Sequence, residues 1–213
     1  MESFIRSDQF NYIEEQIKHL LHSHATVNDA GVLDALRSVT KEKVLERFGS
    51  LTEYQEELIV KIIDVQDQAD ATLYLSRLRQ YVHPFPEVKE ENVQRAFPAL
   101  KKVKVPSLER VDNRDLTYIG WDDYGSRQKF LMFRTEEGWT GIKGSFRKSQ
   151  RNGICSICHS QERVGLFMAD IKTAGESELK RGHYICQDSV ACNQNIQRLE
   201  PLNNFIEAMT SDD

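Results

Sequence analysis

Apolar side chains in the first third of the chain recur every three or four residues, which is the spacing of an α-helix with one buried face. Five runs show this spacing, and they begin at Phe10, Val32, Val44, Leu58 and Leu73. Each run is short, and only a few residues separate it from the next. Short helices joined by short links are typical of an antiparallel bundle. We therefore predict a helical bundle over residues 1–82.

Capping residues predict where four of these helices begin. Ser7 or Asp8 can cap the first helix, Asn28 the second and Thr40 a short third one. Their side-chain oxygens accept hydrogen bonds from the free N–H groups of a first helical turn. Residues 52–55 (TEYQ) have the reciprocal capping-box pattern, which predicts the start of a fourth helix.

The segment His83-Pro84-Phe85-Pro86 interrupts the helical pattern. Two prolines one residue apart cannot continue a helix, and each restricts the residue before it. We place a domain boundary here, which predicts one domain over residues 1–82 and a second over residues 83–213. A turn inside a single domain is the alternative, since prolines also punctuate loops.

The second domain has a mixed pattern. A helix is predicted over residues 87–97, and alternating apolar and basic residues predict a strand from Leu100 to Pro106. Further strands are predicted at 118–121, 129–134 and 139–143, the last two joined by a hairpin turn. The predicted fold class is α+β, with an N-terminal antiparallel helical bundle and a C-terminal α/β domain.

The composition is globular, with 39% hydrophobic residues among 213 and a formal net charge of −5. The net charge belongs to residues 1–82, where 14 acidic side chains outnumber nine basic ones. No apolar stretch is long enough for a membrane span. The first residues lack the basic and apolar regions of a secretory signal. We therefore expect a cytoplasmic protein, whose cysteines stay reduced or bind metal.

Four cysteines form a C-x2-C pair and a C-x5-C pair with 27 residues between them. They are Cys155, Cys158, Cys186 and Cys192. Strands predicted between the pairs and a helix predicted from Asn195 to Met209 complete the order of a treble-clef finger. Zn²⁺ prefers four such soft ligands in a tetrahedron. We therefore predict one zinc ion in a finger that spans about residues 152–206.

Other interpretations of the metal-binding residues remain open in the sequence. The C-x2-C pair alone has the spacing of a redox pair, although this leaves two thiols without a role. His159 or His183 could replace one cysteine as a ligand. Three histidines of the first predicted helix, His19, His22 and His24, have no further ligand beside them, and such residues commonly lie on a solvated helix face.

The predicted zinc site is structural, because four protein thiolates leave no open coordination position for water or substrate. The sequence also lacks the local motifs of nucleotide-binding loops, nucleophile elbows and zinc proteases. We therefore expect a binding protein and not an enzyme, with no small-molecule substrate.

Residues 127–151 combine seven basic side chains with only two acidic ones. Phe130, Phe133, Trp139 and Phe146 stand between these charges. Exposed aromatic rings beside a positive groove bind single-stranded RNA by stacking. Aromatic residues in strands are more often core residues, which predicts an ordinary sheet with a charged outer face. A zinc-finger RNA-binding protein is therefore the second functional hypothesis.

Four stretches carry a resemblance to a known family. They are Gln9 to Ile13 (QFNYI), Tyr81 to Phe85 (YVHPF), Gly120-Trp121, and the segment from Gly153 to Cys192 with GICSIC, GLFM and RGHYICQDS. In this order and at this spacing, the chain resembles the FusB-type elongation factor G-binding proteins, the fusidic acid resistance type. The likeness covers essentially the whole length.

The resemblance implies a helical bundle followed by an α/β domain with a four-cysteine zinc finger. It implies binding to elongation factor G, mainly through the zinc-bearing domain, and release of the factor from a ribosome on which fusidic acid has trapped it. The drug itself is not modified. The family's contact positions correspond to Ile154, Arg181 and Tyr184 in this sequence. Tyr184 matches the family, Arg181 keeps a positive charge in place of lysine, and Ile154 is apolar but lacks the aromatic ring.

Overall fold

The computed structural model describes residues 2–100, 111–123, 125–172 and 178–210. The strand predicted from Leu100 to Pro106 lies outside these residues, apart from Leu100 itself. The chain divides into two compact units, Met1–His83 and Pro84–Asp213. Among the described residues, no helix is both long and apolar enough to cross a lipid bilayer.

The described part of the first unit is built from four α-helices and a short 3₁₀ helix. They are α1 (Ser7–Thr26), α2 (Ala30–Leu45), α3 (Glu53–Val60), the 3₁₀ helix Lys61–Asp64, and α4 (Gln68–Arg79). Their apolar faces meet in one core, which includes Ile13, Ile17, Val44, Ile59, Ile62 and Leu78. These residues have the helical spacing seen in the sequence, and the predicted helical region is confirmed.

The starts of these helices differ in detail from the predicted ones. The N-cap of α1 is Arg6, and the N-cap of α2 is Asp29 instead of Asn28. The helix start predicted at Thr40 is wrong, because α2 continues through this residue and no proline interrupts it. The capping box predicted at residues 52–55 is confirmed at the start of α3.

The two ends of the first unit are joined by backbone hydrogen bonds. Ile5 pairs with Val82 as a parallel β-bridge, and the N–H groups of Phe4 and Ile5 both donate to Tyr81 O. His83 N–H donates back to Ile5 O at 2.8 Å. Ile5, Tyr81 and Val82 are buried, so the residues before α1 are fixed to those after α4.

The described part of the second unit contains an antiparallel sheet and three α-helices. The helices are α5 (Glu90–Ala96), α6 (Ser189–Asn195) and α7 (Glu200–Thr210). The strands are β1 (Tyr118–Asp123), β2 (Gln128–Thr135), β3 (Gly138–Ile154), β4 (Gln161–Lys172) and β5 (Glu178–Cys186). Each strand is antiparallel to the next, in the order β1-β2-β3-β4-β5. The strands predicted at 118–121, 129–134 and 139–143 are confirmed within longer ones.

Both faces of the sheet are covered where β1 and β2 lie. On one face Leu131 and Phe133 belong to a core cluster with Phe205 of α7. On the other face Phe130 packs edge-on against Phe97, the residue that follows α5, with ring centres 5.4 Å apart. A strand that is buried on both faces has a continuous apolar run, which explains the sequence FLMF in β2.

The helix predicted from Asn195 to Met209 begins later than predicted, because only Asn195 of this range belongs to α6 and the rest of the helix is α7. α6 ends at Asn195 and α7 begins at Glu200. Ile196 has an extended backbone, which ends α6. Pro201 lies in the first turn of α7, where a missing N–H group is tolerated. The interruption places Leu202 and Phe205 of α7 in the core of the sheet.

Candidate metal centre

The first cysteine pair lies in the turn between β3 and β4. Cys155 N–H donates to Ser160 O at 3.1 Å, and His159 N–H donates to Cys155 O at 2.9 Å, which closes a tight knuckle. Inside the turn Ile157 N–H donates to Cys155 Sγ at 3.3 Å. An N–H group directed at a sulfur favours its charged form, and the thiolate is the form that binds metal.

The second pair is supplied by the end of β5 and by α6. Cys186 is the last residue of β5, and its N–H donates to Cys155 Sγ at 3.3 Å. Cys192 lies in α6, where the Asp188 carboxylate accepts two N–H groups of the first turn. A strand end and a capped helix thus place two further sulfurs beside the knuckle.

The four sulfurs have the spacing of a tetrahedral zinc site. All four Sγ atoms lie within 4.8 Å of one another. The Sγ atoms of Cys155 and Cys192 are 3.8 Å apart, and those of Cys158 and Cys186 are 3.7 Å apart. Zn–S bonds of about 2.3 Å in a tetrahedron separate sulfurs by roughly 3.8 Å, whereas a disulfide bond measures about 2.0 Å. The cluster therefore fits one zinc ion.

The four buried thiols do not all lose their protons by themselves. Hydrogen bonds from the other three thiols, with Cys158 first, lower the pKa of Cys155. The sulfur of Cys155 in turn raises the pKa of Cys186 and of Cys192. Four neighbouring thiolates are thus unfavourable by themselves, and a bound divalent ion is what lets all four lose their protons.

The histidines that the sequence offered as alternative ligands have other surroundings. His159 is exposed on the knuckle. His183 Nδ1 lies 3.3 Å from Ser156 Oγ, and its ring packs edge-on against Phe205. In the part of the chain that the structure describes, the four cysteines are the single close group of metal-ligating side chains. That group includes neither these two histidines nor those of α1.

Gln187 follows Cys186 and attaches the metal site to three strands. Its Nε2 donates to Ser149 O at 2.6 Å and to Val164 O at 2.9 Å. Its own carbonyl accepts a hydrogen bond of 3.1 Å from Lys129 Nζ. The turn after β5 is thereby held to β2, β3 and β4 at once.

Lys129 is a charged residue in the interior of the sheet. Its side chain is 2% exposed, and Nζ lies 3.0 Å from Asp122 Oδ1 and 4.8 Å from the centre of the Phe146 ring. A buried charge is tolerated only when it is paired and hydrogen-bonded. Together with its bond to the carbonyl of Gln187, this pairing fixes the amine between β1 and the metal site.

Asn193 follows Cys192 and attaches the metal site to β1. Its Oδ1 accepts hydrogen bonds from Thr117 and Tyr118 N–H at 2.7 and 3.1 Å. Its Nδ2 donates to Tyr118 O at 3.0 Å and to Ser189 O at 2.8 Å. The side chain is almost fully buried, and both of its donors and both of its acceptor positions are used.

The sequence analysis did not identify Lys129, Gln187 or Asn193. The available signals were a lysine at the start of an apolar run and an amide side chain directly after two of the cysteines. Most of their partners are main-chain atoms, as many as 76 residues away. Patterns of local spacing do not show such partners.

The three contact positions implied by the resemblance lie in two different surroundings. Ile154, the last residue of β3, is 60% exposed, and Tyr184 in β5 is 53% exposed. Ser156 N–H donates to Tyr184 O at 2.8 Å, so the knuckle after Ile154 touches the strand that carries Tyr184. Arg181 is half-buried, and its Nη1 donates to Ala208 O near the end of α7.

The aromatic side chains of residues 127–151 do not form an exposed stacking surface. Phe130 and Phe133 are buried. Trp139 and Phe146 are half-buried against the core clusters. This arrangement is that of an ordinary sheet with charged outer positions, and it does not favour the RNA-binding hypothesis.

Comparison with known proteins agrees with this architecture. The family model described as "Elongation factor G-binding protein, N-terminal" matches residues 4–86, and the one described as "FBP C-terminal treble-clef zinc-finger" matches residues 92–211. The solved structure of the fusidic acid resistance protein FusC has a TM-score of 0.83 and 24% sequence identity over 98% of each chain, which shows a shared fold. No curated protein sequence matches the chain. The treble-clef match and the sulfur geometry together confirm the predicted structural zinc ion as the cofactor.

Proposed function

The chain belongs to the family of elongation factor G-binding proteins, and on this premise we propose that it binds elongation factor G through the surface beside its zinc centre. The observation that carries the proposal is the pair of large exposed side chains beside the knuckle, Ile154 and Tyr184. A few large side chains held on a rigid frame supply most of the binding energy of a protein interface, and tyrosine is enriched among them.

The zinc ion stabilises this surface and takes no part in a reaction. Four thiolates occupy its coordination sphere, so no position is left for water or substrate. The metal fixes Cys155 and therefore the neighbouring Ile154, which reduces the conformational entropy that binding would otherwise cost. The protein acts in the cytoplasm as a stoichiometric partner and not as an enzyme.

Binding promotes release of elongation factor G from the ribosome. A binding protein can shift the factor off the ribosome only if it binds a departing or released state more tightly than the ribosome-bound state. Such a preference gives fusidic acid resistance or tolerance by protecting the target, and the drug stays unmodified.

Calorimetric titration of purified elongation factor G with the zinc-loaded protein tests the binding step. We expect a one-to-one complex, and we expect Tyr184→Ala and Ile154→Ala each to weaken it about tenfold or more, as truncation of an interface anchor does. Tyr54→Ala and Val39→Ala truncate comparably exposed side chains of the first unit, 57% and 45% exposed, and serve as matched controls. Unchanged affinity in both knuckle variants contradicts the site, and no binding by the zinc-loaded protein contradicts the function.

Arg181 is the third contact position implied by the resemblance. Its Nη1 donates to Ala208 O, so its guanidinium is already partly engaged within the protein. We therefore expect Arg181→Ala to weaken binding less than Tyr184→Ala does. If Arg181→Ala lowers the affinity for the factor more than Tyr184→Ala does, this expectation is wrong.

Sedimentation of ribosomes on which fusidic acid has trapped elongation factor G tests the release step. We expect the zinc-loaded protein to lower the amount of factor that sediments with ribosomes, and Tyr184→Ala to lower it much less. Mass spectrometry is expected to recover the drug intact. Factor that stays on the ribosomes, despite tight binding in solution, rules out release and leaves the binding step standing.

A further inference from the structure

Part of the sheet has an exposed face where β3, β4 and β5 lie side by side. Directly opposed residues of antiparallel strands share a face. Two rows of such partners form this surface, which we name the open face: Arg147, Leu166 and Tyr184 in one row, and Ser145, Met168 and Gly182 in the other.

The same side of the sheet is covered further along, towards β2 and β1. There Phe130 and its partner Trp121 pack in the cluster that contains Phe97. On the open face, by contrast, Tyr184 is 53% and Met168 is 37% exposed. A sheet normally buries its apolar face against another layer, and an exposed apolar group with a polar rim marks an interaction surface.

Gly182 is an exposed glycine on the open face, a position that we name the notch, and internal packing does not require a glycine there. A Cβ atom at Gly144 or Gly165 would lie less than 3.0 Å from neighbouring main-chain or ring atoms, so the fold itself requires glycine there. At Gly182 the nearest atoms would be Met168 Cγ at 3.4 Å and Leu166 Cδ1 at 3.5 Å, which are ordinary contacts. A strand glycine without such a need often marks the close approach of another backbone or a ligand.

The charges around the notch are mostly positive. Arg147 and Lys143 lie on the same side of β3 and are exposed. Lys180 is 3.6 Å from Asp170 on the next strand. Of these four side chains, three are cations and one is a carboxylate, in a chain whose formal net charge is −5. A positive patch on an acidic protein is complementary to a partner surface with carboxylates.

From these observations we propose that the open face docks an acidic surface of elongation factor G, with an apolar side chain or a main-chain segment of the factor seated over Gly182. The inference rests on the proposed function, and it extends the interface from the knuckle across three strands. Tyr184 belongs to both surfaces, which makes them continuous. Arg147 and Lys143 face the carboxylates of the factor, while Met168 and Leu166 form the walls of the notch.

Two variants test the open face without altering the metal site. Gly182→Gln fills the notch, and Arg147→Glu reverses a charge at its edge. We expect each to lower the affinity for elongation factor G about tenfold, the charge reversal mainly through slower association. The matched controls Gly125→Gln, in the turn between β1 and β2, and Arg198→Glu, just before α7, are exposed. They are expected to stay within about twofold of the parent.

Each outcome of the titration decides the inference. Zinc content and thermal unfolding are measured first, and Gly182→Ala provides a smaller version of the same change if the larger side chain disturbs the fold.

Parent-like affinity in Gly182→Gln and Arg147→Glu overturns the open face while binding to the factor stands. No binding by the parent protein overturns the proposed function and the inference with it. Loss of binding to a ribosomal RNA hairpin in Arg147→Glu, with unchanged affinity for the factor, assigns the face to nucleic acid and overturns docking of a protein.

Discussion

Gly165 in β4 and Gly182 in β5 are both strand glycines, but the atoms that surround them differ. A Cβ atom at Gly165 would lie 2.5 Å from the Phe146 ring and 2.8 Å from Arg147 O, whereas one at Gly182 makes ordinary contacts. We expect Gly165→Ala to lower the free energy of unfolding by about 1–3 kcal/mol through overpacking. Gly182→Ala should leave it unchanged or raise it by about 0.4–1 kcal/mol, since alanine reduces the entropy of the unfolded chain. Urea unfolding of the zinc-loaded proteins measures both, and equal effects contradict this difference in packing.

Asn193 offers a second test at the scale of one residue. Its amide makes all of its hydrogen bonds in a buried site, and its removal leaves main-chain groups of Thr117 and Tyr118 without their partner. We expect Asn193→Ala to lower the free energy of unfolding by about 2–4 kcal/mol, because unsatisfied buried polar groups cost about 1–3 kcal/mol each. Gln194→Ala, at the exposed neighbouring position in α6, is the control and should change it little. Equal unfolding curves for the two variants contradict the role of Asn193.

Residues differ in how far the sequence predicts their role. The four cysteines are recognisable because zinc ligands come in pairs with fixed local spacing, and the structure brings all four together. Lys129 is different, because its partners Asp122 and the Gln187 carbonyl come from separate strands. Its role depends on the register of the sheet, which a single sequence does not specify. The contact roles of Ile154 and Tyr184 stay predictions until binding is measured.

At the scale of elements, the capping box at the start of α3 can be tested directly. Thr52 Oγ1 accepts a hydrogen bond from Gln55 N–H at 3.3 Å, and Gln55 Oε1 accepts one from Thr52 N–H at 2.9 Å. A helix of eight residues is marginal by itself and depends on its cap and its packing. We expect Thr52→Ala to lower the free energy of unfolding by about 1 kcal/mol.

The matched control for this cap is Ser50→Ala, two residues before it and exposed. Urea unfolding followed by far-UV circular dichroism compares the two variants with the parent chain. A loss of stability in Ser50→Ala as large as that in Thr52→Ala indicates a general effect of alanine in this loop and contradicts the capping role.

Element boundaries were predictable where a local signal dominates and not where tertiary packing decides. The capping box and the hairpin between β2 and β3 follow from neighbouring residues. The start predicted at Thr40 failed because a threonine is tolerated inside a helix when its hydroxyl has a partner or solvent. The open face also has no sequence signal, since Leu166 and Met168 have the same spacing as core residues. Which part of the sheet is covered depends on where α5 and the following Phe97 pack, and a single sequence does not specify this.

At the scale of the whole molecule, the two units have separate cores and different charge. The buried clusters of Met1–His83 and of Pro84–Asp213 share no residue. The net charge of the chain comes from residues 1–82. The sequence prediction of two domains, 1–82 and 83–213, stays a prediction, because a compact unit with its own core is a candidate for independent folding and not proof of it.

Removal of zinc tests whether the two units unfold independently or as one cooperative structure, because each unit has its own spectroscopic signal. Both tryptophans, Trp121 and Trp139, lie in the second unit, so their fluorescence reports its unfolding. Among the described residues, the helices of the first unit contain more than twice as many residues as those of the second, and they dominate the circular dichroism. We expect chelation to move the urea midpoint seen by fluorescence far down, since a structural zinc contributes on the order of 10 kcal/mol. The midpoint of the remaining helical signal should stay in place.

The variant Cys192→Ser is the control for a direct effect of the chelator. It lacks one of the four ligands, so we expect it to show the low fluorescence midpoint without any chelator and no further change when chelator is added.

If the helical and fluorescence midpoints fall together, the two units unfold as one cooperative structure, and loss of zinc would destabilise the bundle as well. If only the fluorescence midpoint falls, the metal stabilises the second unit alone. The bundle can then persist in a chain that has lost its proposed binding surface, and loss of factor binding on chelation would locate that surface in the second unit.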